Sequence, residues 1–273
     1  MTLQLIFNAD DYGLTTGVSR GIRQAHLQGV VTSTTCMMGM PGTAAEMQTA
    51  LAECPNLGLG VHLTLTAGRP VLPSADVAGL CDTNGLFLRL GDVLGHRHEL
   101  PLKQVEAEWR AQVNAFIQAA GKLPTHLDSH HHSSYFTPAL FRVMLKLAGE
   151  YGTAIRFPVA ACEPYRVTGL PEEVNAELEA ALPEMLTEFA PRRADGFCAD
   201  FYDTDATWQT LADFIDHHPA GTWEVMCHPA FWDDELQAIS SYNTQRQQEL
   251  SLLTSPETLQ GLRRRHVSIV NFS

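Results

Sequence analysis

The strongest constraint on the fold of this chain is the regular exchange of short apolar runs for segments of helical periodicity. Leu3–Phe7 is such a run. It gives way to Asn8-Ala9-Asp10-Asp11-Tyr12-Gly13, read as a loop, after which Val18, Ile22, Ala25 and His26 recur at helical spacing until Gly29. The Val- and Thr-rich stretch 30–38 suits a second strand, and 44–54, with Met47, Leu51 and the stop at Pro55, a second helix. The unit repeats with a strand over 57–65 and a long helix on which Leu102, Val105, Trp109, Val113, Phe116, Ile117 and Ala120 share one face up to Gly121. Further strands are expected at 125–129, 154–159, 223–227 and 267–271, a helix at 138–151, and one acidic helix within 168–191. Parallel strands need helical crossovers, so the alternation predicts an α/β chain whose mostly parallel sheet is either open or closed into a barrel. Nothing in the sequence marks a domain boundary. Residues 1–273 are expected to form a single domain, with the Pro- and Gly-bearing stretch 68–99 as a long loop or flap.

Composition narrows the function classes. With 45% hydrophobic and 18% charged residues over 273 positions, the chain has material for a large core, which excludes disorder as its dominant state. The net charge of −13 repels phosphates and anionic lipid headgroups, so neither nucleic acid nor a membrane is an expected partner. No apolar stretch approaches the roughly 18 residues of a membrane span, and the first ten residues lack a secretory pattern, which makes the cytoplasm the expected compartment. The six cysteines, without a CxxC pair, read as reduced and mostly buried.

Chemistry concentrates at four places where an apolar run delivers a metal-capable or proton-transferring side chain at its end: Asp10 and Asp11, His62, His126–His132, and His228. In parallel α/β folds the C-terminal ends of strands gather on one face, so these residues are expected to converge. Successive side chains of an extended strand point to opposite sides, but in a turn the two acids flank one site, one ligating a metal while the other accepts a proton. The bland alternative makes one of them a helix cap and leaves the other solvated. By the period of two, His126, Asp128 and His130 share one side of a strand, and Asp128 is suited to hold the second nitrogen of an imidazole. A solvated histidine-rich loop is the competing reading. His62, among Gly58 and Gly60, and His228, before Pro229, each read in isolation as ordinary core or turn histidines. His96, His98, His217, His218 and His266 stand in polar surroundings and read as surface residues, and Arg263–Arg265 as cations at a helix C-terminus.

Taken in order, Asn8-Ala9-Asp10-Asp11-Tyr12-Gly13, Val30-Val31-Thr32-Ser33-Thr34-Thr35, Gly60-Val61-His62-Leu63-Thr64-Leu65-Thr66, Pro124-Thr125-His126-Leu127-Asp128-Ser129-His130-His131-His132 and Met226-Cys227-His228-Pro229 resemble the YdjC-like carbohydrate deacetylases, the family of chitooligosaccharide (chitin disaccharide) deacetylase. The resemblance runs along nearly the whole chain. It implies a (β/α) barrel, often distorted in that family, and a metal-dependent hydrolase that removes acetyl groups from N-acetylglucosamine-containing saccharides. It further implies a divalent ion, Mg2+ or Zn2+, on Asp11, His62 and His130, with Asp10 as general base and His228 as general acid. His126 and Asp128 read as residues that orient a ligand from behind or contact the substrate, while the resemblance implies an acetylated amino sugar as the substrate and a homodimer as the assembly. Tyr12 stands where the family pattern has Phe, and Ser133-Ser134 where it has Val-His. Two other functions fit part of the pattern. His126-Leu127-Asp128 with a distant histidine imitates the ligand triad of a non-haem iron oxygenase, and a saccharide-binding protein without catalysis would keep the same barrel.

Overall fold

The computed structural model describes residues 2–157, 167, 169–218 and 220–272. In chain order its elements begin with β1 (Leu3–Tyr12), α1 (Thr16–Gln28), β2 (Ser33–Cys36), α2 (Thr43–Glu53), β3 (Gly58–Leu63), α3 (Leu90–Gly95), α4 (Leu102–Ala120), β4 (His126–Ser129) and α5 (Pro138–Tyr151). They continue with β5 (Ala154–Ile155), α6 (Glu172–Phe189), β6 (Gly196–Cys198), α7 (Trp208–His217), β7 (Gly221–Cys227), α8 (Asp234–Ile239), α9 (Thr244–Leu253), α10 (Pro256–Arg264) and β8 (Ser268–Ile269). The strands are parallel in the order β5-β4-β3-β2-β1-β7-β6, and the two edges meet at one parallel bridge between Ile155 and Arg193. The result is an α/β fold in which a single curled sheet forms a distorted, incompletely closed barrel. β8 pairs with β1 at Gln4 and Leu5, below the point where β2 begins its own pairing at Asn8.

The period-two alternation of β1 separates two interiors. Leu3, Leu5, Phe7 and Ala9 belong to the large core beneath the helices, whereas Ile6 joins Ala154, Ala194 and Phe272 in a small apolar cluster inside the barrel. The C-terminal Phe272 therefore plugs the barrel floor, leaving the opposite end for polar side chains. Helix boundaries follow from local chemistry. Thr15 caps α1 by accepting from the Val18 N–H, and Thr137 caps α5 by accepting from the Leu140 N–H. α4 and α5 end on the left-handed glycines Gly121 and Gly152.

Several expectations need correction. Asn8–Tyr12 is not a loop: β1 continues through it to Tyr12, with a β-bulge between Ala9 and Tyr12. The long face of α4 holds for Val105, Trp109, Val113 and Phe116, but Leu102 is exposed. Stretch 68–99 is a folded excursion containing α3, with Val77, Leu80, Phe87 and Val93 in the main core. It is pinned by the buried Glu108 carboxylate, which accepts from the Val71 and Leu72 N–H groups. His218 is half-buried against Phe214 and Trp223. The acidic helix within 168–191 is α6, and the five described cysteines are free. Residues 158–159 of the expected fifth strand, and Cys162, lie outside the described residues.

Candidate active site

The bulge in β1 resolves the problem of two adjacent acids. Ala9 pairs with Thr34 and Tyr12 with Cys36, so β1 carries one extra residue there, and Asp11 adopts a left-handed backbone with φ of 71°. Asp10 and Asp11 thereby both reach the polar interior at the C-terminal end of the barrel. Both are buried.

Asp11 is the meeting point of the predicted metal ligands. Its Oδ1 lies 3.2 Å from His62 Nε2 and 3.0 Å from His130 Nδ1, while its Oδ2 accepts from Arg246 Nη2 at 2.6 Å. His62 is oriented from behind: its Nδ1 lies 2.6 Å from Asp128 Oδ1, and Thr35 Oγ1 donates to Asp128 Oδ2 at 2.9 Å. Asp128 thus holds the second nitrogen of His62, leaving Nε2 facing Asp11. One ligand atom from each of Asp11, His62 and His130 falls within a 4.8 Å cluster. Two imidazole nitrogens facing one carboxylate oxygen form a donor set that suits a divalent cation. A second cluster, Asp10, His62 and Asp128, is equally compact. It suits a metal poorly, because the Arg156 guanidinium already occupies both of its carboxylates.

Arg156, which the sequence reading did not single out, is fully buried and organises the other half of the site. It donates to both oxygens of Asp10, at 2.7 and 2.6 Å, and to Glu224 Oε1 at 2.7 Å, and lies 3.2 Å from Asp128 Oδ2. Burial raises the Asp10 pKa, but the charge and hydrogen bonds of Arg156 outweigh it and hold the carboxyl well below its ordinary value. At Asp11 burial is likewise outweighed, by Arg246 and His130. For His62, burial opposes protonation, yet the Asp128 and Asp11 carboxylates win and push its pKa up to about 10.

His228 follows β7, with Nε2 3.9 Å from Asp10 Oδ2. Burial lowers its pKa to about 4 against the pull of Asp10, so the imidazole rests neutral. Its backbone N–H donates to Glu249 Oε2 at 2.5 Å, and its buried Nδ1, 4.0 Å from Glu249 Oε1, has no hydrogen-bond partner among the described residues. His126 sits deeper than the other histidines, with Nε2 3.0 Å from Asn8 Oδ1, Nδ1 2.9 Å from Thr125 Oγ1, and its ring stacked on Phe272 at 4.0 Å. Both of its nitrogens are engaged and Asp128 is bound to Arg156, so the His126 and Asp128 triad of an iron oxygenase is not assembled.

Arg156, Glu224, Arg246, Glu249 and Thr35 were missed. A lone acid inside the apolar run Trp223–Cys227 was a usable signal for Glu224, and the period of two places Arg156 on the same side as Ala154. Arg246 and Glu249, three apart on one face of α9, carry no signal of their own. The strained backbone was also invisible: His131 and His132, like Asp11, have positive φ, at 55° and 57°.

Comparison with known proteins places the chain in a family. The YdjC-like protein family model matches residues 4–264. A carbohydrate deacetylase of Brevibacillus brevis is 39% identical over 99% of both chains. A chitooligosaccharide deacetylase of Salmonella newport is 37% identical over 96% of this chain and 94% of its own. A crystal structure from Enterococcus faecalis V583, provisionally labelled a cellobiose-phosphate cleavage protein, superposes with a TM-score of 0.86 at 33% identity, covering 100% of this chain and 98% of that one. The chain belongs to the YdjC-like protein family.

Proposed function

We propose that the protein is a hydrolase that removes N-acetyl groups from short saccharides containing N-acetylglucosamine, with a divalent metal, Mg2+ or Zn2+, held by Asp11, His62 and His130. The observation that carries this reading is the convergence of those three ligand atoms beside a carboxylate, Asp10, that is not needed to hold the ion. The names of the Brevibacillus and Salmonella relatives favour the same chemistry. When bound, the ion supplies Lewis acidity to the acetamide carbonyl and lowers the pKa of a water.

The remaining work falls to the chain. Arg156 fixes both oxygens of Asp10 and keeps the carboxylate ionised, ready to accept the proton of the attacking water. The 3.9 Å separation of Asp10 Oδ2 from His228 Nε2 sets the two groups that handle this proton side by side. His228, neutral at rest, takes it up and delivers it to the sugar nitrogen as the C–N bond breaks. Asp128 and Thr35 hold His62 in one orientation throughout.

The experiment is a pair of variants assayed for acetate release from N,N′-diacetylchitobiose and for metal content. Asp10→Asn keeps the metal and loses about 10²- to 10⁴-fold in turnover, whereas His62→Ala loses both. Normal turnover by Asp10→Asn overturns the assignment, and acetate-free binding of the saccharide by the native protein favours the non-catalytic alternative.

A further inference from the structure

We infer that the exposed face of Tyr202 is a stacking platform for a sugar ring of the substrate, an inference that rests on the deacetylase reading and adds a saccharide subsite to it. Tyr202 lies on the segment after β6, at the same end of the barrel as the site. It is 43% exposed. One face is covered: its ring stacks on Tyr242 with centroids 4.4 Å apart and planes within 8°. Both rings stand steeply to the plane of His228, at 76° and 73°, each with centroids 5.6 Å from the imidazole. His228, equidistant from the two rings, lies at the side of the stack, so the outer face of Tyr202 is one ring edge away from the group proposed to protonate the leaving nitrogen.

The platform is held in place before any ligand arrives. The Asp203 N–H donates to the Tyr242 hydroxyl at 2.9 Å, and the Tyr242 hydroxyl donates in turn to the Glu249 carboxylate. Asp203 has φ of 53°, a conformation that costs a non-glycine residue free energy and persists only where its surroundings impose it. Immediately around it the Tyr202 N–H donates to Asp200 O at 2.9 Å and the Asp205 N–H to Tyr202 O at 3.0 Å. A rigid aromatic with one face backed and one face open offers contact area at little entropic cost. The ring face carries the negative part of the π quadrupole, and the C–H groups on the apolar face of a pyranose carry the complementary partial charge. The ligand class that fits is a sugar ring of a short amino-sugar oligosaccharide, lying flat on Tyr202 while its acetamide, or that of its neighbour, reaches the centre.

The test compares Tyr202→Ala and Tyr202→Phe with the native protein, by KM and kcat for acetate release from N,N′-diacetylchitobiose. Circular dichroism and thermal midpoints check that the variants fold. Tyr202→Ala is expected to raise KM roughly five- to tenfold with kcat within about twofold, whereas Tyr202→Phe, which keeps the ring, behaves as the native protein. An unchanged KM in Tyr202→Ala overturns the inference. So does an equal loss in Tyr202→Phe, which would assign the effect to the hydroxyl, or a loss confined to kcat, which would assign it to the placement of His228. Absence of acetate release by the metal-loaded native protein overturns the deacetylase reading instead.

Discussion

Replacing Arg156 with Met tests how the polar interior of the barrel is held together. The guanidinium is fully buried and contacts three carboxylates, with distances of 2.6 and 2.7 Å to Asp10, 2.7 Å to Glu224 and 3.2 Å to Asp128. Methionine has a similar reach but no charge, so the variant strands buried acids that the native protein neutralises. Breaking a buried ion pair by removing one partner costs about 3–5 kcal/mol. The three partners do not multiply this cost, because orphaned carboxyls relieve it by protonating or admitting water. Against the roughly 5–15 kcal/mol of a typical domain, the expected loss is a large share of the total. Urea unfolding at pH 7, followed by tryptophan fluorescence in the presence of chelator, reads it without a metal contribution. The midpoint should fall by roughly 1 M. The gap between native and variant should narrow as pH is lowered towards 5, because the orphaned acids of the variant, buried without a counter-charge, take up protons more readily in the folded state than in the unfolded one. Adding Glu224→Gln to the variant should return part of the loss. A deficit below about 1 kcal/mol, or one independent of pH, would refute the argument that Arg156 neutralises this interior.

Burial pushes the Glu249 carboxyl up to about 7 from the ordinary 4.5. A raised folded-state value means stability that is complete below about pH 4.5 and lost as pH rises through about 7, so the native protein should lose about 3 kcal/mol relative to Glu249→Gln across that window. Paired unfolding curves at pH 4.5 and 8 measure it, and a pH-independent difference contradicts it. Gly60→Ala should destabilise by roughly 1–3 kcal/mol, because its Cβ would lie 2.6 Å from the His126 carbonyl oxygen and 2.7 Å from the imidazole. An unchanged thermal midpoint would show that His126 has room to yield.

The alternation of apolar runs and helical faces was enough to indicate the parallel sheet, because strands buried on both sides must be apolar and their connections must be helical. The resemblance supplied the choice of a barrel over an open sheet. Legibility failed where tertiary context overrode local pattern. β6 is only three residues long, too short to show a period, α8 is only six, and α9 buries Arg246 and Glu249 beside Leu250 and Leu253 in place of an apolar stripe. Asn8–Tyr12 reads as a loop because its side chains are polar. Asn8, Asp10 and Asp11 are polar because they face the site, and the strand continues beneath them. The same cause hid Arg156, just past β5, and Glu224, within β7: a charged residue in or beside a strand looks like an interruption until the counter-charge across the barrel is known. His126 and His130, alike in the sequence, part company because the first faces the plugged floor at Phe272 and the second leaves β4 for the turn beside Asp11.

The most direct test of the central claim is acetate release from N,N′-diacetylchitobiose by one preparation in three states: as purified, stripped by chelator, and reloaded with one equivalent of Zn2+ or Mg2+. The account predicts activity that disappears on stripping and returns on reloading in the native protein, but does not return in Asp11→Asn, whose Oδ1 is the point shared by His62 and His130. Full activity in the stripped protein, or full recovery in Asp11→Asn at one equivalent, would contradict it.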